Sequence, residues 1–550
     1  GNSFSGIDNL TWIHGRQTIK AGVEIRHIQL NQEYGQHGKV TFSSVEKLAA
    51  NSAKKATLTG ALPVNGLRKN DIIGYVQDEF KLRSNLNLNL GARYTVFQIF
   101  DEKNGKANPF DFETCGAQGF CGLGASFGQQ NYGDFDPRVG LSWAPAKGGK
   151  TVIRAGFGIN HEDGQLDDQN LPAKNEVPSY SATKCSSPSG PLTIQLLPDG
   201  SDSIPATCYG AGTISPNAEQ RDRKDSYVEQ WDLSVQRELP ANFVGTVTYL
   251  GSHGVHLLDT NVVNLYTDLS TQTTQYPAFA AGIGWRGSVG MSSYNGLSVA
   301  LRRPFTNGLL VAANYMYSEE IDNGSNGSGD GDELSPQNPL CLSCERADGA
   351  WDARHVFNGN AVYQLPFGHG KALLNHGGIA DAIAGNWALT TTAVARTGFP
   401  VNVLLPGSYN NEDYSGTERP DLVKGVSLTP PGGRTVAHWI NPAAFAAPAG
   451  EYGNAPRDLA RGPGTWQIDL GASKAISLRE RGQLQFRGEF YNVFNHPQLG
   501  QPQATFNPAN TTGFGSIINT VNLNTAIVSP ITPVGSGTPR EIQLALRLQF

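Results

Sequence analysis

Apolar and polar residues alternate with a period of two over residues 540–550. Ile542, Leu544, Leu546, Leu548 and Phe550 share one parity, against Glu541, Gln543, Ala545, Arg547 and Gln549 on the other. A strand sends successive side chains to opposite faces, so this segment has one wholly apolar face and one polar face. Ten residues at roughly 3.4 Å each, tilted near 40°, span about 25 Å, the height of an outer-membrane barrel's apolar band. The alternation recurs over residues 4–13, 19–26, 72–82, 86–94, 138–143, 153–160, 230–236, 243–249, 297–302, 309–318, 357–365, 387–396, 466–473 and 484–494. The pattern predicts about fifteen strands. The least regular is 72–82, where Asp78 shares the parity of Val76 and Phe80.

The connections alternate as well. Short turns are expected at residues 14–16, 83–85, 145–150, 240–242, 304–308 and 479–482. Between them lie long stretches rich in Gly, Ser, Asn, Asp and Pro, at 30–70, 101–133, 163–223, 257–289, 321–350, 399–463 and 498–539. A compact soluble domain seldom carries so many long loops. Short turns at one end and long loops at the other are the pattern of a transmembrane antiparallel β-barrel. Only the 366–383 connection breaks it, falling at a short-turn position with too many residues. In this phase the first strand descends from the long-loop side and the strand count is odd. Bacterial barrels are even and closed, so the expectation is the C-terminal part of a larger barrel.

Composition narrows the class. In 550 residues only 16% are charged and the formal net charge is -6, which gives no basic surface for nucleic acid. No run reaches the eighteen or so apolar residues of a membrane helix, and the mean hydropathy is negative. A barrel has neither signature. The first residues, Gly1, Asn2, Ser3 and Phe4, carry no signal peptide and no initiator Met, so a removed signal or a fragment is expected. The six cysteines pair by loop: Cys115 with Cys121, Cys185 with Cys208, Cys341 with Cys344. Such spacing in Gly- and Ser-rich loops points to disulfides in an oxidising compartment. Zinc at the CxxC of Cys341 and Cys344 is the rival, lacking two further ligands nearby.

Several segments resemble the C-terminal barrel of TonB-dependent outer-membrane receptors, most nearly the Oar-like group. They are residues 75–94 (YVQDEFKLRSNLNLNLGARY), 136–143 (DPRVGLSW), 352–358 (DARHVFN) and 486–497 (FRGEFYNVFNHP), with the terminal Phe550. The resemblance covers nearly all 550 residues. It implies a barrel of 22 strands, of which about fifteen are in this chain, with a plug domain, a TonB box and a carboxypeptidase-regulatory-like domain expected upstream. It further implies uptake of an unidentified small ligand through external loops and lumen. TonB would couple through the absent N-terminal region, and Phe550 would be read by the barrel-assembly machinery. The expected location is the outer membrane of a Gram-negative bacterium, with long loops extracellular and membrane lipid around the wall. The alternative is a surface barrel acting in adhesion or envelope organisation; a soluble secreted β-protein is a third reading.

Candidate chemistry is sparse, and neither an enzyme nor a cofactor is expected. Gly124, Ser126 and Gly128 fit GxSxG, but a nucleophile elbow needs a strand before it and a helix after it. Asp322, Asn326, Asp330 and Glu333 fall at EF-hand-like spacing, a weak calcium candidate because position three is Gly324. The polar parity supplies lumen-lining candidates: Arg93, Arg154, Asp232, Arg396, Asp469, Arg487 and Glu489. Arg487 and Glu489, two apart on one strand, are expected to pair. Trp12, Trp143, Trp231, Tyr315, Tyr317, Trp387 and Trp466, near strand ends on the apolar parity, suit an interfacial girdle.

Overall fold

The computed structural model describes the chain apart from residues 34–38, 51, 53–54, 59–63, 117–118, 146–147, 164–182, 187–194, 197–201, 204–215, 265, 269–272, 275, 278, 280–281, 325–335, 339–340, 369, 376–377, 407–416, 450–451, 478–481, 522–538 and 550. Among the described residues one antiparallel sheet of 18 strands dominates. Three of these are two-residue pieces, Asp101–Glu102, Ala218–Glu219 and Ala347–Asp348, which leaves fifteen long strands. They are β1 (Asn2–His14), β2 (Gln17–Glu33), β3 (Val64–Arg83), β4 (Leu86–Phe97), β5 (Phe135–Trp143), β6 (Thr151–Glu162), β7 (Ser226–Leu239) and β8 (Phe243–Val263). There follow β9 (Ile283–Thr306), β10 (Leu309–Asp322), β11 (His355–Gln364), β12 (Trp387–Arg396), β13 (Thr465–Ser477), β14 (Gln483–Tyr491) and β15 (Glu541–Gln549). Each pairs with the next in an unbroken meander. No described helix is long and apolar enough to cross a membrane.

The register keeps the apolar parity on one side throughout. Leu10 faces Ala21, Ala21 faces Val76, and Val76 faces Ala92. Further along, Val139 meets Phe157, Phe157 meets Trp231, Val247 meets Val299, and Val299 meets Tyr315. Tyr315 meets Phe357, and at the far side Leu470 meets Phe490 and Phe490 meets Ile542. Because cross-strand partners lie on the same face, the sheet has one continuous apolar surface. Most of these side chains are left exposed by the protein, as are Leu544 and Leu546, which is the condition of a lipid-facing wall.

Of the charged residues on this parity, Asp78, Arg303 and Lys474 lie within a few residues of short connections, whereas Asp8, opposite Val23, stands in the middle of β1. Gln17 Nε2 donates to Asp78 Oδ2 at 3.1 Å. Arg303 donates from Nε to the Ala241 carbonyl at 3.0 Å and from Nη1 to that of Thr306 at 2.7 Å. Side chains that reach turn carbonyls at a strand end are snorkelling to the interface rather than lying in hydrocarbon. The aromatics mark the same limits. Trp12, Trp143 and Trp387 sit at the short-turn end, while Trp231, Tyr317 and the Trp466–Ala395 pair stand eight or so residues higher. Eight residues correspond to roughly 20 Å of height.

The structure departs from the sequence pattern at three places. β14 ends at Tyr491, and Asn492 and Asn495 take φ of 47° and 52°, so Phe494 lies beyond the strand. β8 and β9 run on past the alternating stretch to 21 and 24 residues, over a segment with register shifts between Gly254 and Asp259. The long connections are folded rather than merely solvated. Their buried clusters, such as Val403, Leu405, Phe445 and Phe506, are the molecule's apolar core, because the strands spend their apolar face on lipid.

A positive charge in the middle of the outer surface should therefore unfold the wall. Val299→Arg is expected to cost about 2–4 kcal/mol, whereas Ser298→Arg on the polar face costs about 1 kcal/mol or less. Denaturant titration of the protein in lipid vesicles checks both; equal costs would refute the two-faced reading.

Candidate functional site

All seven polar candidates lie on the face opposite the apolar surface, as the register requires. They are spread over six strands and are largely held by neighbours. Arg93 Nε donates to Thr95 Oγ1 at 3.0 Å, and Arg154 Nη1 donates to Gln236 Oε1 at 2.9 Å. Asp232 lies over Gly156, where a β-carbon would strike its Oδ1. Asp469 Oδ1 accepts from Gln467 Nε2 and from the Asn492 amide, both at 2.8 Å. Arg487 and Glu489 form an ion pair. Arg396, at the end of β12, stacks its guanidinium 3.9 Å from the centre of the Phe399 ring. A cleft of about 610 Å³ opens on this polar side near the short turns, lined by Gln77, Glu79, Lys81, Asn89, Arg138 and Ser142.

At the long-loop end the connections knit into a buried ionic assembly that the strand pattern did not reveal. Arg457, 1% exposed, pairs with Asp322 at the end of β10 and with Asp458 Oδ2 at 2.8 Å. Its Nε donates to the Glu345 carbonyl at 3.0 Å. Arg419 binds Glu345 in a fork, Nη1 to Oε2 at 2.6 Å and Nη2 to Oε1 at 2.9 Å. The Gln337 side chain accepts from the Arg419 amide at 2.7 Å and donates to the Gly453 carbonyl at 3.0 Å. Arg461 joins Asp348 and Asp352, and Arg354 joins Glu319, Asp348 and Asp352. Four arginines thus meet six carboxylates. Deep burial pushes the Asp458 carboxyl up to about 7, against the pull of Arg457 and with a smaller push from Asp322. Asp134, in the connection before β5, is likewise raised to about 7 by burial and by Asp225 and Asp136 beside it.

Two disulfides brace this end, Cys115–Cys121 with Cα atoms 4.9 Å apart and Cys341–Cys344 at 5.3 Å. The second closes the turn that presents Glu345 to Arg419. The pairing of Cys185 with Cys208 lies outside the described residues, as do Asn326, Asp330, Glu333 and Phe550. Asp322, the remaining member of the calcium candidate, is engaged by Arg457 and by the Gly324 amide at 2.9 Å. Ser126 donates to the Gly128 carbonyl at 2.8 Å within a loop, with no base in reach among the described contacts. A cleft of about 1080 Å³ lies beneath Arg434 and Trp439, floored by Tyr315, Phe357 and Trp466 and bordered by Arg396 and Arg461.

A family model described as an outer membrane β-barrel domain matches residues 1–543. The TonB-dependent transporter Oar of Myxococcus xanthus is 22% identical over 348 residues, covering 56% of this chain and 30% of that protein. Among solved structures, the outer membrane transporter YddB of Escherichia coli matches all of this chain and 54% of its own, at 11% identity and a TM-score of 0.52. A ferric enterobactin receptor of Pseudomonas aeruginosa matches all of this chain and 53% of its own, at 12% identity and a TM-score of 0.47. The chain therefore spans about half the length of these solved structures and less than a third of the curated relative.

Removing the Arg457 guanidinium strands two buried carboxylates, so Arg457→Met is expected to destabilise the loop assembly by about 3–5 kcal/mol. Amide hydrogen exchange over 337–346 and 452–464 should accelerate while the strands stay protected; unchanged loop protection would show that the network contributes nothing. The raised Asp458 carboxyl gives a pH sign. Its folded value lies above its unfolded one, so its stabilisation is complete below about pH 4 and is lost as pH rises through about 7. Opening of 452–464 should increase about tenfold or more from pH 5 to pH 8, and Asp458→Asn should flatten that rise. Slower opening at pH 8 would reverse the assignment.

Proposed function

The chain belongs to the outer membrane β-barrel domain family, and from that premise we propose that it forms most of the wall and loops of a TonB-dependent receptor. It resides in the outer membrane. The observation that carries the proposal is the register. It turns every apolar parity outward and gathers Arg93, Arg154, Asp232, Asp469, Arg487 and Glu489 on the other side, where a lumen would be lined. A wide lumen of this kind suits a ligand path filled by a plug.

The wall is open as it stands. Among the described residues β1 pairs only with β2, β15 pairs only with β14, and both are exposed along their whole length. Backbone donors and acceptors left bare in lipid cost several kcal/mol each, so both edges need strand partners. Seven further strands would complete an even ring of 22, and a plug within it would meet the polar candidates. In this reading the folded long loops capture a small ligand from outside, and coupling to TonB moves the plug to admit it. The barrel-assembly machinery would read the closing strand, β15.

The test is made in the full-length protein. A gene-deletion strain is profiled for growth on peptides, oligosaccharides and ferric chelates, then complemented with the wild type or with a variant lacking the TonB box. Growth on one compound restored by the wild type alone supports energised uptake. Restoration by the variant too would sink the energised mechanism, and no difference on any compound would favour the adhesion alternative.

A further inference from the structure

The one long connection at the short-turn end, residues 365–386 between β11 and β12, is built unlike its neighbours. The other short connections need two to seven residues, such as 15–16, 84–85 and 144–150. This one carries a short helix, Ile379–Ala384. Its place is fixed by two side chains of the wall. Trp387 Nε1 donates to the Ile383 carbonyl at 2.9 Å. Lys474 Nζ donates to the Ile383 carbonyl at 3.1 Å and to the Gly385 carbonyl at 2.5 Å. Trp387 and Lys474 are cross-strand partners, and Lys474 is in turn the partner of Phe486. All three share the apolar parity, with the Trp387 and Phe486 rings 6.3 Å apart edge to face. The helix is therefore held against the outer surface of the wall, not beneath the lumen.

Its free side is apolar. Ile379 and Ile383, one turn apart, are 81% and 68% exposed, and Leu373 and Leu374 are exposed in the same connection. Asp381 points the other way, toward Gly385. The buried Lys474 ammonium lies 5.5 Å from the Trp387 ring centre, and the last helical carbonyls take up its charge. A cation on the lipid-facing parity is thereby satisfied at the level of the girdle.

We infer that the helix Ile379–Ala384, together with Leu373 and Leu374, is a membrane-interface anchor, seated in the phospholipid of the inner leaflet. The occupant follows from continuity. The lipid-facing band runs from Leu389 through Trp387 directly onto the helix, and short turns of an outer-membrane barrel face the periplasm. An amphipathic segment lying in the interface buries its apolar side to about the headgroup–acyl boundary. The inference rests on the outer-membrane location and not on transport, so the two stand or fall separately.

The test places nitroxide labels at Ile379→Cys and Ile383→Cys, one at a time, in the full-length protein in phospholipid nanodiscs. Ser84→Cys, in a two-residue turn on the same rim, is the aqueous reference, and the unsubstituted protein gives the labelling background. The ratio of oxygen to nickel-chelate collision rates should be several-fold higher at 379 and 383 than at 84. Ratios equal to that at 84 would place the helix in water, free for a periplasmic partner, and overturn the inference. A second measurement needs no substitution. Photoactivated diazirine phosphatidylethanolamine should leave adducts within 373–383; adducts confined to the strands would equally overturn it.

Discussion

The structure depends on one constraint, the phase of the apolar–polar alternation across every ladder. Side chains in a strand repeat every two residues, so a slip of one residue in any pairing would turn the rest of the sheet inside out. Here fourteen successive pairings preserve the phase, from Leu10 opposite Ala21 to Phe490 opposite Ile542. No buried core between the strands enforces this, because their apolar face is solvated by lipid. Backbone pairing supplies the cohesion, and the lipid supplies the penalty for a wrong register. The residues that break the rule show its limits. Asp78, Arg303 and Lys474 are tolerated because each lies where a turn carbonyl or an amide side chain reaches it.

The same constraint explains how much was legible in the sequence. Period-two alternation located all fifteen long strands, and the alternation of connection lengths gave the two ends. Asp78 looked like an error in the pattern and is instead a depth marker. What the pattern could not show was everything not governed by the bilayer. The outward continuations of β8 and β9 leave the membrane and have no reason to alternate; Gly251, Ser252, His253 and Gly254 carry no strand signal. Phe494 kept the parity after its backbone had turned at Asn492. Glu345 meets Arg419 and Arg457, 74 and 112 residues further along the chain, and a spacing rule has no purchase on such a contact.

The two ends of the molecule solve opposite problems. The wall buries little of its apolar face within the protein and carries ion pairs such as Lys20–Glu79 and Arg487–Glu489 on its polar face, while the long loops must cohere in water without a membrane around them. They do so with small apolar clusters and with arginines enclosed among carboxylates. Such pairs add little net stability, since desolvation offsets most of the attraction. They do impose geometry. Arg457 ties the end of β10 to the connection before β13, and Arg419 ties that same connection to the disulfide-closed turn at Cys341 and Cys344. A loop end so fixed presents one defined surface.

The two open edges carry the argument furthest. β15 has the full apolar face of a lipid-exposed strand, yet among the described residues its far backbone edge has no strand partner, and β1 is in the same state. Charge, proline or a bulge would blunt an edge that was meant to stay free. Neither strand has a proline within it. β1 has Asp8 alone as a charged group, and on β15 Glu541 and Arg547 lie on the polar parity, where they leave the edge unprotected. These are edges shaped for pairing. With fifteen long strands in an antiparallel meander, β1 and β15 run in the same direction, so a direct meeting of the two would be a parallel pairing.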